Sequence, residues 1–289
     1  MIFLLLVLCN VALAIIFKYF DKYKVDNLNA IVVNYFTCVV SSSLYLGVQS
    51  VPVDFYIRPW FGSAIAMSLL FIIGFNLMAL SYQRAGLTLT GIMHKMSLLI
   101  SGAFPIIFYD ELLTNHRLIG FVAAILTVIL VNYPSKSDGF TLKNKWIMAL
   151  PIIVFVMSGL IEIILFYVEV SGQVDGDGVL FTSTSFGLAG VIGVVIVFYR
   201  LLMGRSKFGL KDVFGGVILG LPNYLTIYLL IYLLEQGWDG SVLFPLNNVS
   251  ILVTITLIGA IIYKEQLNLL KIVGLVFGII AIVLIGTGI

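Results

Sequence analysis

The stretch "FYDELLTNHRLIGFVAAILTVIL" (residues 108–130) lies without gaps on "IYKEQLNLLKIVGLVFGIIAIVL" (residues 262–284) at a lag of 154. Tyr109 meets Tyr263, Glu111 meets Glu265, Leu113 meets Leu267, Arg117 meets Lys271 and Gly120 meets Gly274. Valine and isoleucine coincide by chance in apolar chains, but tyrosine, glutamate, a basic residue and glycine in one register do not. An internal repeat of this length constrains the architecture before any other feature is considered.

Each copy ends in an apolar run long enough to be helical in a membrane, and the rest of the chain reads the same way. Of 289 residues, 61% are hydrophobic and 10% charged, and the mean hydropathy is +1.14. Such values exclude a soluble globular domain. Crossing the hydrocarbon takes about 20 apolar residues per helix, because every backbone donor and acceptor must be paired within the segment. The strict alternation of a membrane barrel is absent. Ten spans are predicted, at 2–17, 30–48, 60–82, 88–108, 117–133, 146–167, 179–200, 213–234, 241–263 and 269–288. The connections leave no room for a soluble catalytic domain or a nucleic-acid module. "MIFLLLVLCNVALAIIF" lacks a basic leader and reads as a retained first helix. Cys9 and Cys38 lie inside spans, so neither a disulfide framework nor a metal site is expected.

The lag carries span four onto nine and span five onto ten, so each copy holds five helices. An odd number inverts the second copy. The expected fold is therefore an all-α integral membrane protein of ten helices in two inverted five-helix repeats, at 1–134 and 146–289, joined by a linker at 135–145. Inverted repeats are the usual scaffold for alternating access around a midplane site.

Basic residues set the expected orientation. Thirteen lysines and arginines follow odd-numbered spans: Lys18, Lys22, Lys24, Arg84, Lys136, Lys143, Lys145, Arg200, Arg205, Lys207, Lys211, Lys264 and Lys271. The even-numbered connections hold only Arg58 and Arg117. Cytoplasmic loops carry the excess of Lys and Arg, so the odd connections should be cytoplasmic and both termini outside. The expected location is the plasma membrane, in a bacterium the inner one.

Polar residues inside spans are the candidates for function. In span four, Thr90, His94, Ser97 and Ser101 share a helical face, with Lys95 one position round. In span nine, Asn247, Ser250 and Thr254 form a comparable stripe, and Asn248 is the repeat mate of His94. Span six aligns Ser158, Glu162 and Glu169; span eight aligns Tyr224, Tyr228, Tyr232 and Glu235. Asn10, Asn34, Asn76 and Asn223 place single amides in spans one, two, three and eight. A charge at mid-helix costs roughly 2.5–3.5 kcal/mol on insertion scales, so Lys95 and Glu162 should face protein or water. Plainer readings stand beside this one. Lys95 could snorkel to the interface, Lys95 and Glu162 could form a structural ion pair, and the amides and hydroxyls could join helices. Glu111 and Glu265, near helix C-termini, are expected to pair with a base such as Arg117 or Lys271. Gly216/Gly220 and Gly274/Gly278 allow close helix contact, either internal or in a homodimer. The turn "SGQVDGDGVL" (171–180) lacks the ligand count of a calcium loop.

With ten spans in two halves, a fourth and ninth helix each ending in aromatic-x-Glu, and a glycine-bearing helix after each, the chain resembles the EamA branch of the drug/metabolite transporter superfamily. Pro245 matches a proline that relatives often carry early in the ninth helix; the equivalent position in the fourth is Gly91. The resemblance implies a cavity lined by helices one, three, four, six, eight and nine. It also implies cytosolic termini, opposite to the charge count.

The expected activity is secondary transport of a small polar or amphipathic metabolite, anionic or zwitterionic. Substrate contacts are expected at His94, Lys95, Ser97, Asn76, Asn10, Asn223, Tyr228, Asn247 and Asn248, and proton coupling at Glu162. Catalytic residues, metal ligands and cofactors are not expected. The expected partners are the substrate and membrane lipid, not nucleic acid. A flippase for a lipid or lipid-linked head group is the alternative. An intramembrane lipid-modifying enzyme is the weaker one, since paired Asp, His-x-x-His and His-Glu-x-x-His are absent and no Walker-type loop occurs.

Overall fold

The computed structural model describes residues 1–46, 51–85, 87–131, 145–204, 207–262 and 268–286. Tyr263, Lys264, Glu265 and Leu267 of the second repeat copy, Lys136 and Lys143, linker residues 135–144 and Arg205 lie outside them. The described residues are helical, with no strand. The helices are α1 (Ile2–Tyr23), α2 (Asn27–Leu46), α3 (Phe61–Ala85), α4 (Leu87–Met96), α5 (Leu98–Phe108), α6 (Asn115–Val131), α7 (Lys145–Val170), α8 (Gly178–Leu202), α9 (Leu210–Glu235), α10 (Gly240–Ile261) and α11 (Leu269–Gly286), with a 3₁₀ turn at Phe55–Ile57. Seven stretches among them are long and apolar enough to cross a membrane, and shorter apolar helices cover Ile2–Phe17, Met93–Phe108 and Asn115–Val131. Helices α6 and α11 begin at Asn115 and Leu269, separated by the same lag of 154.

Large apolar side chains cover the outside of these helices. Val191, Val195 and Phe198 of α8 are exposed, as are Ile272, Val276, Ile279 and Val283 of α11. Faces of this kind are stable only against lipid tails, and the chain is accordingly a multi-pass helical membrane protein.

The helices group into two compact units, each drawing on both halves of the sequence. One comprises Met1–Asn76 and Tyr167–Glu235, the other Leu77–Phe166 and Gln236–Ile289.

In the first unit, α2 packs on α9 at unusually close range. A Cβ on Gly216 would fall 2.5 Å from the Ala30 carbonyl oxygen, and one on Gly220 would fall 2.4 Å from Thr37 Cβ. Only hydrogen fits at these two positions. The close approach lets the buried Asn223 amide donate to Asn34 Oδ1 at 3.1 Å and Cys38 Sγ reach the Gly220 carbonyl at 3.3 Å. The rings of Tyr35, Phe71 and Phe186 stack beside them, Phe71 on Phe186 at 5.0 Å. At one end, Asp177 Oδ2 accepts from Trp60 Nε1 at 3.0 Å and from Arg58 at 3.1 Å, fixing the start of α3 to the turn before α8. Gly172 and Gly176 give that turn its positive φ angles, 69° and 73°.

In the second unit, α6 lies along α11, and α10 is the most enclosed helix, with 72% of its apolar window buried against 28% for α11. Cβ atoms on Gly274 and Gly278 would collide with Leu130 and Val131 of α6 and with Val253 of α10. Both Gly-x-x-x-Gly faces are thus occupied inside the chain, and a homodimer would need another surface.

Candidate functional site

Span four tightens by one residue at Ser97: Ser97 N–H reaches the His94 carbonyl at 3.3 Å and Ile100 N–H reaches the Ser97 carbonyl at 2.9 Å, both three residues back. Ser97 keeps right-handed helical angles and its carbonyl also accepts the Ser101 N–H at 3.1 Å, so the helix runs on from α4 into α5. His94 and Lys95 lie in the last turn of α4, just before this point. Sequence periodicity did not show the tightening.

From that turn Lys95 reaches a neighbouring helix. Its Nζ donates to Oδ1 of Asn248 on α10 at 3.3 Å. The Nδ2 of the same amide donates to Glu162 Oε1 on α7 at 2.9 Å. Three helices thus meet at one carboxamide, with a cation on its oxygen and an anion on its nitrogen. Lys95 and Glu162 do not pair directly, so the expected alternative of a simple ion pair gives way to a bridged one. Glu162 Oε2 is buried without a hydrogen-bond partner among the described residues, as is Oδ1 of neighbouring Asn247. A buried acceptor left in this state costs about 1–3 kcal/mol.

The other candidates of this unit divide. Asn247 and Asn248 are buried on α10. His94 is half-buried and makes no side-chain hydrogen bond among the described residues. Ser97 is buried and does not use its hydroxyl to cap α5. Thr90 and Ser101, however, are spent on the protein: Thr90 shares a hydrogen bond with Ser81 at 2.7 Å, and Ser101 bonds back to the Ser97 carbonyl. The hydroxyl stripe therefore holds helices more than it offers donors.

Asn10, Asn76, Asn223 and Tyr228 fall in the first unit. Asn10 and Asn76 donate to the carbonyls four residues back, Leu6 at 3.0 Å and Ile72 at 2.6 Å. Asn223 and Asn34, joined to each other, form the polar end of a small crevice walled by Leu13, Phe17 and Phe75. The tyrosine stripe of α9 is a stack, Tyr224 on Tyr228 at 5.8 Å and Tyr228 on Tyr232 at 6.2 Å. The Tyr228 hydroxyl meets that of Tyr45 at 3.0 Å, a partner that no motif announced.

Glu111 corrects its sequence reading. Instead of pairing with Arg117, its two carboxylate oxygens accept the Gly240 and Ser241 N–H groups, each at 2.9 Å. They cap the N-terminus of α10, where a negative charge is favourable. Arg117, 6% exposed, turns to Asp239 at 2.6 Å and to the Leu112 carbonyl at 2.9 Å. Asp239 sits at the N-cap position of α10 but makes no side-chain cap bond. The hairpin 109–117 thereby anchors the helix that carries Asn247 and Asn248. Among the described residues no three His, Cys, Asp or Glu side chains are placed to hold a metal.

The fold and the half-buried polar bridge define a multi-pass helical membrane protein with charged side chains inside apolar helices. No family model matches the chain. An uncharacterized protein of Haemophilus influenzae is 26% identical over 283 residues, covering 96% of this chain and 94% of its own length. A solved crystal structure superposes with a TM-score of 0.76, covering 98% of this chain and 94% of the other at 12% identity. The second likeness is one of fold.

Proposed function

We propose that the protein is a secondary active transporter of the EamA type, with ten spans in two inverted repeats, moving a small anionic or zwitterionic metabolite by alternating access. The observation that carries this reading is the Lys95–Asn248–Glu162 bridge. An ammonium and a carboxylate are kept at membrane depth, joined through one neutral amide, with an acceptor oxygen still unmatched. Intramembrane charges cost stability, and ionisable residues kept inside spans commonly mark substrate or ion pathways. Lys95 supplies the positive pole for a carboxylate or phosphate, Asn247 and Asn248 orient the cargo, and Glu162 Oε2 takes either a substrate ammonium or a coupling proton.

Transport is tested in proteoliposomes with a panel of amino acids, organic acids and head-group analogues, with and without a pH gradient. Saturable uptake of a charged soluble solute that is lost in Lys95→Met supports the reading. Translocation of a fluorescent phospholipid with no soluble uptake would replace it with a flippase.

A further inference from the structure

At one end of the first unit, the turn between α1 and α2 meets the connection from α8 to α9, and the charges there are sorted by direction. The carboxylates are held by the protein, Asp212 buried and Asp26 half-buried. Asp212, 1% exposed, accepts from Asp26 N–H at 2.9 Å, from Gly209 N–H at 3.0 Å and from the Asn29 amide at 3.2 Å. Asp26 accepts from Asn29 N–H at 3.1 Å and from Arg200 at 3.1 Å. The lysines point outward. Lys22, Lys24, Lys207 and Lys211 are exposed. The hub gathers them from separate segments: Lys211 Nζ donates to the Lys24 carbonyl, and the Asn29 amide donates to the Lys207 carbonyl at 3.1 Å.

Apolar side chains stand among these lysines. Phe208 and Leu210, flanked by Lys207 and Lys211, are 46% and 89% exposed, and Tyr23 is 63% exposed. Lys22 lies over the Tyr19 and Tyr23 rings at 5.6 and 5.7 Å. Tyrosine at a helix end and lysine stems along apolar surface are features of the lipid head-group zone.

We propose that this end of the first unit is a binding surface for anionic phospholipid: the lysines hold the phosphate while Phe208 and Leu210 enter the acyl boundary. Loop charge that served only to orient the chain during insertion would not need its acids held by backbone N–H groups, an amide and Arg200 while its lysines gather on one hub. A juxtamembrane lysine contributes about five-fold to anionic-lipid binding. The proposal rests on the membrane reading alone and is independent of the cargo.

The purified chain in a neutral detergent is titrated with dioleoylphosphatidylglycerol or with dioleoylphosphatidylcholine, and bound lipid is counted by native mass spectrometry. The wild type should bind the anionic lipid at least about tenfold more tightly. The variant Lys22→Gln/Lys24→Gln/Lys207→Gln/Lys211→Gln should lose that preference, and Lys271→Gln should keep it. Phe208→Ser/Leu210→Ser should weaken both lipids alike. If the fourfold variant does not fold, the paired variants Lys22→Gln/Lys24→Gln and Lys207→Gln/Lys211→Gln should each remove part of the preference. Equal binding of the two lipids by the wild type overturns the proposal, as does a preference that survives the lysine variants. Displacement of the lipid by inorganic phosphate, but not by chloride of equal ionic strength, would make this a free-phosphate site and also overturn it.

Discussion

Asn248 donates to Glu162 at 2.9 Å and, through its other amide atom, receives Lys95 at 3.3 Å. One uncharged side chain therefore carries both ends of a half-buried pair of ionisable groups. Hydrogen bonds to charged groups contribute about 1.5–3 kcal/mol, so Asn248→Leu should lower the thermal midpoint more than a leucine elsewhere on α10. A double-mutant cycle of Lys95→Met and Glu162→Gln should show coupling in the wild-type background and almost none in Asn248→Leu. Undiminished coupling would mean that the charges interact without the amide.

Glu111 and Gly240 are 129 residues apart in the chain, yet the carboxylate supplies the cap that Asp239 does not. Glu111→Ala should cost about 1–2 kcal/mol and speed hydrogen exchange at the Gly240 and Ser241 amides, with little change at the C-terminal end of α10. Glu111→Gln, which keeps one acceptor, should lose less. Unchanged exchange at those two amides in Glu111→Ala would refute the cap.

Gly220 has no room for a side chain, whereas a Cβ on Gly62 would have nothing within 4 Å. Gly220→Val should abolish folded protein by forcing α2 from α9, and Gly62→Ala should be tolerated. Size-exclusion with light scattering distinguishes this from a dimer contact: a Gly220→Val protein that stays folded but becomes smaller would move the glycine face to an interface between copies.

Lys207 and Asp175 lie at opposite ends of the expected orientation. Cys9 and Cys38 are buried, so introduced cysteines should report over a low background. In intact cells, Asp175→Cys should react with an impermeant maleimide and Lys207→Cys only after permeabilisation. The reverse pattern would place the termini in the cytosol, as in the family that the chain resembles.

The membrane character was legible residue by residue, because hydropathy is summed along one helix and needs no partner. Helices α6 and α11 start 154 residues apart, the lag at which Tyr109, Glu111 and Gly120 find their counterparts in the sequence. Lys95, Glu162 and Asn248 could each be picked out as polar residues in apolar runs, since burying them has a cost that any fold must meet. Their connection could not be read that way. Asn248 lies 153 residues from Lys95 and 86 from Glu162, and no periodicity along a helix encodes which helix faces it.

The same boundary runs through the other elements. Composition pointed to a chain that lives in lipid, and the order of residues along it showed where its polar residues are exceptions. Only the tertiary structure decided that Glu111 caps α10 while Arg117 turns to Asp239, that both glycine pairs are spent inside the chain, and that the compact units mix the two sequence halves. The physical reason is range. Hydropathy and helix propensity act over a few residues, whereas capping, bridging and close packing depend on which distant surfaces fit, and that is settled when the helices pack.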